Sequence, residues 1–206
     1  MTKKLSQVIK YLRRTKWLRL TIEVNCLDQA EWFIEGAFAV HNDMRSHSRA
    51  FMSFGKGMFN GGSMKQKINT TSSTEAEIVA VHDNMAAVLW TSYFLTKHGY
   101  SIKPSIIHQD NLSSILLETN GKASSGKHTS HMNVRYFFIT DRMTKKELSV
   151  AWCPTEDMTG NFWTKPLQGS SFRRLRDLVM GVVPQELPRT AKTKLKKATT
   201  KVKNKK

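Results

Sequence analysis

The chain has 206 residues, with 33 lysines and arginines against 16 acidic residues, and a formal net charge of +17 at pH 7. This length allows one domain with a real hydrophobic core, and the apolar runs are far shorter than the ~18 residues that a membrane span requires. The two cysteines, Cys26 and Cys153, match neither a zinc spacing nor a disulfide framework. We therefore expect a soluble intracellular protein, either cytoplasmic or nuclear.

The positive charge lies at the two ends of the chain. Of the 17 net charges, seven belong to residues 1–20 and eight to residues 184–206, which leaves +2 for residues 21–183. Net charge informs about partners rather than fold. The lysine-rich end, residues 182–206, has the composition of a disordered tail and suits either a nucleic-acid contact or a localisation signal.

The first predicted element is a short amphipathic helix over residues 5–14. Leu5, Val8 and Leu12 recur at helical spacing, and basic residues occupy the remaining face. The apolar centre of a secretion signal is missing from this segment. We assign residues 1–28 to a connecting helix and a linker that precede the main domain.

Three strands are predicted next. Residues 32–40 are rich in aromatic and β-branched side chains, which favour a strand, although Glu35 lies within it. Residues 50–54 and 63–69 follow, with glycines around them that indicate a hairpin. The first third of the domain is thus predicted to be an antiparallel meander.

A long helix begins near Ser72, because hydroxyl residues followed by Glu75 are typical of a helix start, and it is predicted to end at Gly99. The remaining predicted elements are a strand at 104–108, a helix capped by Asp110 and Asn111, a helix at 131–144, a strand at 148–152, and a last helix capped by Asp157 and ending at Gly181. Hairpins that precede alternating strands and helices indicate a mixed α/β domain.

Three acids occupy positions that suggest chemistry. Glu35 lies within a strand, Glu77 in the first turns of the long helix, and Asp110 where a strand passes into a helix. An acid in an apolar strand is costly unless it is paired or binds a metal. Carboxylates from separate elements suit magnesium, and two such ions ~3.5–4 Å apart can hold both reacting oxygens of a phosphodiester. The alternative is a salt-bridged Glu35 and a helix-capping Asp110.

Five stretches, in order, resemble the ribonuclease H domain of copia-type retrotransposon polyproteins. They are residues 32–37, 72–77, 108–111, 129–137 and 162–167. The similarity extends over roughly residues 4–181, and residues 8–15 resemble the connection between reverse transcriptase and ribonuclease H in such polyproteins.

The resemblance implies a ribonuclease-H-like fold for residues 29–181. Such a fold has a mixed five-stranded sheet, an antiparallel meander followed by parallel strands, with helices on both faces. The implied activity is hydrolysis of the RNA strand of an RNA-DNA hybrid with two Mg²⁺ ions, or Mn²⁺ in their place. The implied partners are the hybrid or another nucleic acid and a reverse transcriptase domain, with no membrane.

The resemblance places the catalytic and metal-binding positions at Glu35, Glu77, Asp110 and Asn161. Glu35 and Asn161 stand where the family usually has Asp, which moves one carboxylate outward and removes one negative charge. We therefore expect hybrid binding to survive, and metal binding and hydrolysis to be weak or absent. Arg49 replaces a usual glycine at the start of the second strand, where we expect its side chain to strain a turn.

Nucleic-acid contacts are expected at His131, Arg135, Lys165, Arg173 and Arg174. His128 and His131 form a His-x-x-His pair that suggests zinc, but a second pair does not accompany it. His131 equally suits a structural role, and the arginines of the last helix equally suit a solvated face. Two other functional classes stay open: a non-catalytic nucleic-acid-binding protein derived from such a domain, and a decaying element fragment.

Overall fold

The computed structural model describes residues 2–120, 133–164 and 167–182, so the predicted tail from residue 183 onward lies outside the described residues. The helices in the described part are α1 (Lys3–Thr15), α2 (Ser73–Lys97), α3 (Leu112–Asn120), α4 (Asn133–Thr144), α5 (Asn161–Thr164) and α6 (Gly169–Val179). The strands there are β1 (Glu23–Val24), β2 (Glu31–Ala37), β3 (His47–Ser53), β4 (Gly55–Lys56), β5 (Asn60–Lys65), β6 (Ser105–Gln109) and β7 (Leu148–Trp152).

Five of these strands form one sheet in the order β5-β3-β2-β6-β7. Strand β3 pairs antiparallel with β2 and β5, whereas β6 pairs in parallel with β2 and β7. The predicted meander followed by parallel strands is therefore confirmed, and so is the mixed α/β class.

The strand boundaries differ from the predicted ones in two places. Strand β2 ends at Ala37, earlier than predicted, because Ala39 has a φ of 51° in the left-handed region and turns the chain. Strand β5 starts before the predicted residue 63, because Gly61 and Gly62, which were expected in the turn, pair with β3.

The sheet separates two hydrophobic cores, because successive side chains of a strand point to opposite faces. The larger core, between the sheet, α2 and α4, includes Trp32, Ile34, Met52, Ile78, Val81, Met85, Ile107 and Ile139. The smaller core on the other face contains Phe33, Phe51, Cys153, Met158 and Val179, the last of these from α6. The prediction of helices on both faces is confirmed.

Helix α2 starts with the capping arrangement that the sequence predicts. The Ser72 side chain accepts a hydrogen bond from the backbone N–H of Glu75 (3.2 Å), and Glu75 Oε2 accepts one from the backbone N–H of Thr71 (2.7 Å). Although α2 has 25 residues, neither it nor another helix in the described ranges is long and apolar enough to cross a membrane.

The prediction that Asp157 caps the last helix is wrong. Helix α6 begins at Gly169, with Gln168 in the capping position, and α5 begins at Asn161. Asp157 instead forms an ion pair with Arg174 of α6. The sequence pattern placed the helix start too early because it treated the loop and α6 as one element.

The segment between α1 and β2 is bound to the domain through its backbone. The N–H of Thr21 donates to the Met180 carbonyl (2.9 Å), and the N–H of Asn25 donates to the Phe54 carbonyl (3.0 Å). Strand β1 also pairs with β4 in a small antiparallel sheet that the sequence did not predict. Helix α1 itself buries none of its residues, and it contacts α6 where the Tyr11 ring packs against Phe172.

Strand β2 and helix α2 make backbone contact at Gly36. A Cβ added to Gly36 would lie 2.3 Å from the carbonyl oxygen of Ala76, so a larger residue has no room there. The backbone N–H of Gly36 donates to Glu77 Oε2 at 2.9 Å. The absence of a side chain at this position therefore lets the start of α2 lie directly on the strand that carries Glu35.

Replacing Gly36 with alanine should separate these elements. We expect Gly36→Ala to lower the free energy of unfolding by about 2–4 kcal/mol, because its methyl group meets backbone rather than a movable side chain. Gly62→Ala is the matched control, since an added Cβ there meets nothing within 4 Å; that variant should stay within about 1 kcal/mol of wild type. Urea unfolding measures both, and equal losses would contradict the contact.

Candidate active site

Three of the four predicted site residues are acids that meet at one end of the sheet. Glu35 lies in β2, Glu77 in the first turns of α2, and Asp110 directly after β6, the parallel neighbour of β2. Burial raises the pKa of Glu77 well above its ordinary value, and the negative charges of Glu35 and Asp110 raise it further. Glu77 therefore keeps its proton to a higher pH than an exposed glutamate does.

Asp110 does not cap the helix that follows it. The Oδ1 atom of Asn111 accepts hydrogen bonds from the backbone N–H groups of Ser113 (3.0 Å) and Ser114 (3.3 Å) at the start of α3. The Asp110 carboxylate instead accepts a hydrogen bond from the Thr155 hydroxyl at 2.9 Å. The predicted capping role thus belongs to Asn111, and Asp110 is directed toward the other acids.

Asn161, the fourth predicted position, is held in the same place by its amide. Its Nδ2 donates to the Thr155 carbonyl at 2.7 Å. The preceding Gly160 lies against Glu35, because a Cβ at Gly160 would be 3.3 Å from that of Glu35. Thr155 therefore joins Asn161 to Asp110 through its carbonyl and its hydroxyl. The sequence analysis did not identify Thr155, since a single threonine after a proline carries no recognisable pattern.

Arg49 occupies the position opposite Glu35 in the sheet. The antiparallel register pairs the two residues directly, and cross-strand partners of this kind point to the same face. Both side chains are buried, with 5% of Glu35 and 7% of Arg49 exposed. Arg49 lies within β3 rather than in a turn, so the expectation that it strains a turn is wrong. The pattern that could have located it is a charged residue in each of two adjacent apolar strands.

Arg49 remains a cation at neutral pH. Burial lowers the pKa of its guanidinium to about 10, and the negative charge of Glu35 acts in the opposite direction. Glu118 of α3 is a further buried acid that the sequence analysis missed, and burial raises its pKa well above the ordinary value. Arg49 thus opposes the negative charge of Glu35, and burial favours the protonated forms of Glu77 and Glu118.

The side chains as arranged do not fit a pair of divalent cations. Magnesium requires ionised oxygen ligands in near-octahedral geometry. Here Glu35 faces a guanidinium, Glu77 is bonded to the backbone of β2, and Asn161 is neutral. Within residues 2–120, 133–164 and 167–182, no three His, Cys, Asp or Glu side chains are grouped so that they could hold one metal ion.

The residues expected to contact nucleic acid are not gathered in one place. Arg174 is bound to Asp157 and donates to the Glu156 carbonyl at 2.7 Å, whereas Arg173 is exposed on α6. Arg135 lies on α4, on the other face of the sheet; the pKa of His82 is lowered by burial first and by the charge of Arg135 second. His131 and Lys165 lie outside the described residues.

A cleft of about 470 Å³ opens between α6 and the loop that precedes α5. Its lining includes Thr155, Asn161, Ser170, Arg174 and Leu175. Thr155 and Asn161, which also contact the candidate site, thus line the cleft, so the cleft lies beside that site.

Comparison with known proteins links the chain to retrotransposons. No protein-family model matches it. The Retrovirus-related Pol polyprotein from transposon TNT 1-94 of Nicotiana tabacum is 26% identical over 177 residues. The match covers 84% of this chain but only 13% of the tobacco polyprotein, so the chain corresponds to a small part of that protein. The resemblance to retrotransposon polyproteins is confirmed.

Solved ribonuclease H structures are also similar, at low identity. RNase H1 from the archaeon Halobacterium salinarum is 12% identical, with a TM-score of 0.42, over 64% of this chain and 90% of that one. LC11-RNase H1 in complex with an RNA/DNA hybrid is 10% identical, with a TM-score of 0.45, over 63% and 88%. The predicted mixed five-stranded sheet with helices on both faces is confirmed in its strand order and in its two helical layers.

The raised pKa of Glu77 predicts a pH-dependent stability. The unfolded chain releases this proton near the ordinary value of 4.5, whereas the folded protein retains it to a higher pH. Above pH 4.5 the folded state therefore binds more protons, and the free energy of unfolding falls as pH rises through the folded pKa. Glu77→Gln removes this contribution, so the stability of wild type relative to the variant should decrease as the pH is raised from 4.5 upward.

Urea unfolding across this pH range measures the difference, with Glu156→Gln as the control at an exposed acid. A stability difference between wild type and Glu77→Gln that does not change with pH would contradict the retained proton.

Proposed function

We propose that this chain, a ribonuclease-H-like domain of retrotransposon origin, binds RNA-DNA hybrids and hydrolyses the RNA strand weakly or not at all. The observation that carries the proposal is the meeting of Glu35, Glu77, Asp110 and Asn161 at one end of the sheet. The positions correspond to those that the resemblance implies, but their chemistry differs. The domain has therefore kept the geometry of a nuclease site without its full charge.

The altered chemistry limits hydrolysis in two ways. Asn161 is neutral where the resemblance implies an aspartate, and Glu35 faces the Arg49 cation, so the site has less negative charge with which to hold divalent ions. Burial raises the pKa of Glu77, and a carboxyl that holds its proton cannot remove one from an attacking water.

Hybrid binding depends on positive charge that the altered site does not affect. Seven basic residues in the first 20 positions form an exposed surface on and after α1, and Arg173 is exposed on α6. Tyr11 and Phe172 bring these two helices together, so the two basic surfaces are adjacent. Phosphate contacts of this kind do not require catalytic carboxylates.

A reverse transcriptase domain is the proposed protein partner. Helix α1 exposes Leu5, Val8 and Leu12 along one side, and residues 8–15 are those that resemble the connection to reverse transcriptase. An exposed apolar stripe on an otherwise basic helix suits burial against a neighbouring domain.

The buried pairing of Glu35 with Arg49 favours a second candidate function. In this version the domain binds nucleic acid and has no hydrolytic activity, so binding itself is its function. The two candidates differ in whether slow cleavage remains in Mn²⁺, whose coordination geometry is less demanding than that of Mg²⁺.

A labelled RNA-DNA hybrid tests the proposal, with fluorescence anisotropy for binding and gel analysis for cleavage in Mg²⁺ and in Mn²⁺. We expect binding without turnover at an ordinary ribonuclease H rate. Replacing all three altered positions, as Glu35→Asp with Arg49→Gly and Asn161→Asp, should restore cleavage. The same triple variant with Glu77→Gln is the control and should stay inactive. Rapid cleavage by wild type, or failure to bind the hybrid, would overturn the proposal.

The salt dependence of binding tests the role of α6. We expect Arg173→Gln to reduce the log-log slope of hybrid affinity against salt by about 0.9, the contribution of one phosphate contact. Lys145→Gln, directly after α4 at a residue paired with Asp141, is the charge-matched control and should leave the slope unchanged. Equal slopes for wild type and Arg173→Gln would show that Arg173 of α6 does not contact phosphate.

A further inference from the structure

We propose that Arg49 is a built-in counter-cation, a guanidinium that balances the carboxylates of the site so that the domain neither needs nor binds a divalent metal there. The inference rests on the proposed function and deepens it, since it assigns the loss of metal binding to a residue outside the four catalytic positions. It names the Arg49 guanidinium as the structural cause of the poor fit between the side chains of the site and a divalent metal.

The register of the sheet places Arg49 beside an acid. Glu35 and Arg49 are directly opposed in the β2–β3 pair, and Cβ atoms in such pairs are ~4.5–5.5 Å apart on the same face. The neighbour of Arg49 on its other side is Ser63 of β5, which is uncharged. The negative charge that faces Arg49 within the sheet therefore comes from Glu35.

Arg49 and Glu35 are both buried. Both side chains lie more than nine-tenths out of solvent, where an isolated charge of either sign is strongly unfavourable. Within the described part of the chain, Nε and Nη1 of Arg49 have no hydrogen-bond acceptor. The negative charge of Glu35, directly opposite, supports the burial of this cation.

Arg49 also lies near the other residues of the site. Glu35 also contributes to the negative potential at Glu77, so the guanidinium lies within the same charged cluster. Helix α5, which begins with Asn161, packs against β3, the strand of Arg49. A divalent cation at Glu35 would thus meet the positive charge that lies opposite this residue in the sheet, and like charges at short range repel.

Mn²⁺ titration of the purified chain, read by isothermal calorimetry and by thermal unfolding, tests the inference. We expect little binding by wild type and no change in its Tm. Arg49→Met keeps a similar length without the charge. It should bind Mn²⁺ at least about tenfold more tightly than wild type, and its Tm should rise by about 3 °C or more once the metal is in tenfold excess over its Kd.

Three further variants complete the test. Arg45→Met removes an exposed arginine of the same hairpin, paired with Asp43, and should behave as wild type. Glu35→Gln with Arg49→Met removes both charges and should lose the Mn²⁺ response. Arg49→Lys keeps a positive charge and should still exclude the metal, which preserves the test if Arg49→Met does not fold.

Tight Mn²⁺ binding by wild type, or equal affinities of wild type and Arg49→Met, would overturn the inference. Its failure is distinct from failure of the proposed function: wild type that binds Mn²⁺ tightly and still does not cleave the hybrid contradicts the counter-cation alone. Rapid cleavage of the hybrid by wild type contradicts the proposed function.

Discussion

The close contact between strand β2 and helix α2 at Gly36 determines the arrangement of this domain. Because the strand backbone touches Ala76, the first turns of α2 lie directly over the strand that carries Glu35. Glu77 then accepts a hydrogen bond from that strand rather than pointing into solvent. The larger core follows from the same contact, since α2 covers the face of the sheet that presents Trp32 and Ile34.

The elements that local signals define were predictable from the sequence. Ser72 and Glu75 marked the start of α2, and the aromatic and β-branched residues around Glu35 marked β2, because capping and strand preference act over a few residues. The sequence also placed Glu35, Glu77 and Asp110 on separate elements, from which a shared site was suggested. The prediction was wrong where distant segments decide the outcome. Asp157 binds Arg174 of a helix that begins later, and that pairing is not encoded near either residue.

The role of Arg49 shows the same limit most clearly. Whether the Arg49 side chain faces Glu35 depends on the strand register, which is set by the length of the turn between β2 and β3. A shift of one residue would place Arg49 on the other face of the sheet. Thr155 likewise became visible only when its carbonyl and hydroxyl were found between Asn161 and Asp110. Arg49 lies 14 residues from Glu35, and Thr155 lies 45 residues from Asp110, so neither pairing is a local sequence signal.

The paired burial of Glu35 and Arg49 also constrains how this sequence can evolve. A mutation that neutralises either residue alone leaves the other as an unpaired charge in a dry environment, which a marginally stable domain tolerates poorly. The two positions therefore change together or not at all. Any sequence change that removes Arg49 alone must therefore pass through this less stable intermediate, so the pairing, once present, is difficult to reverse by single mutations.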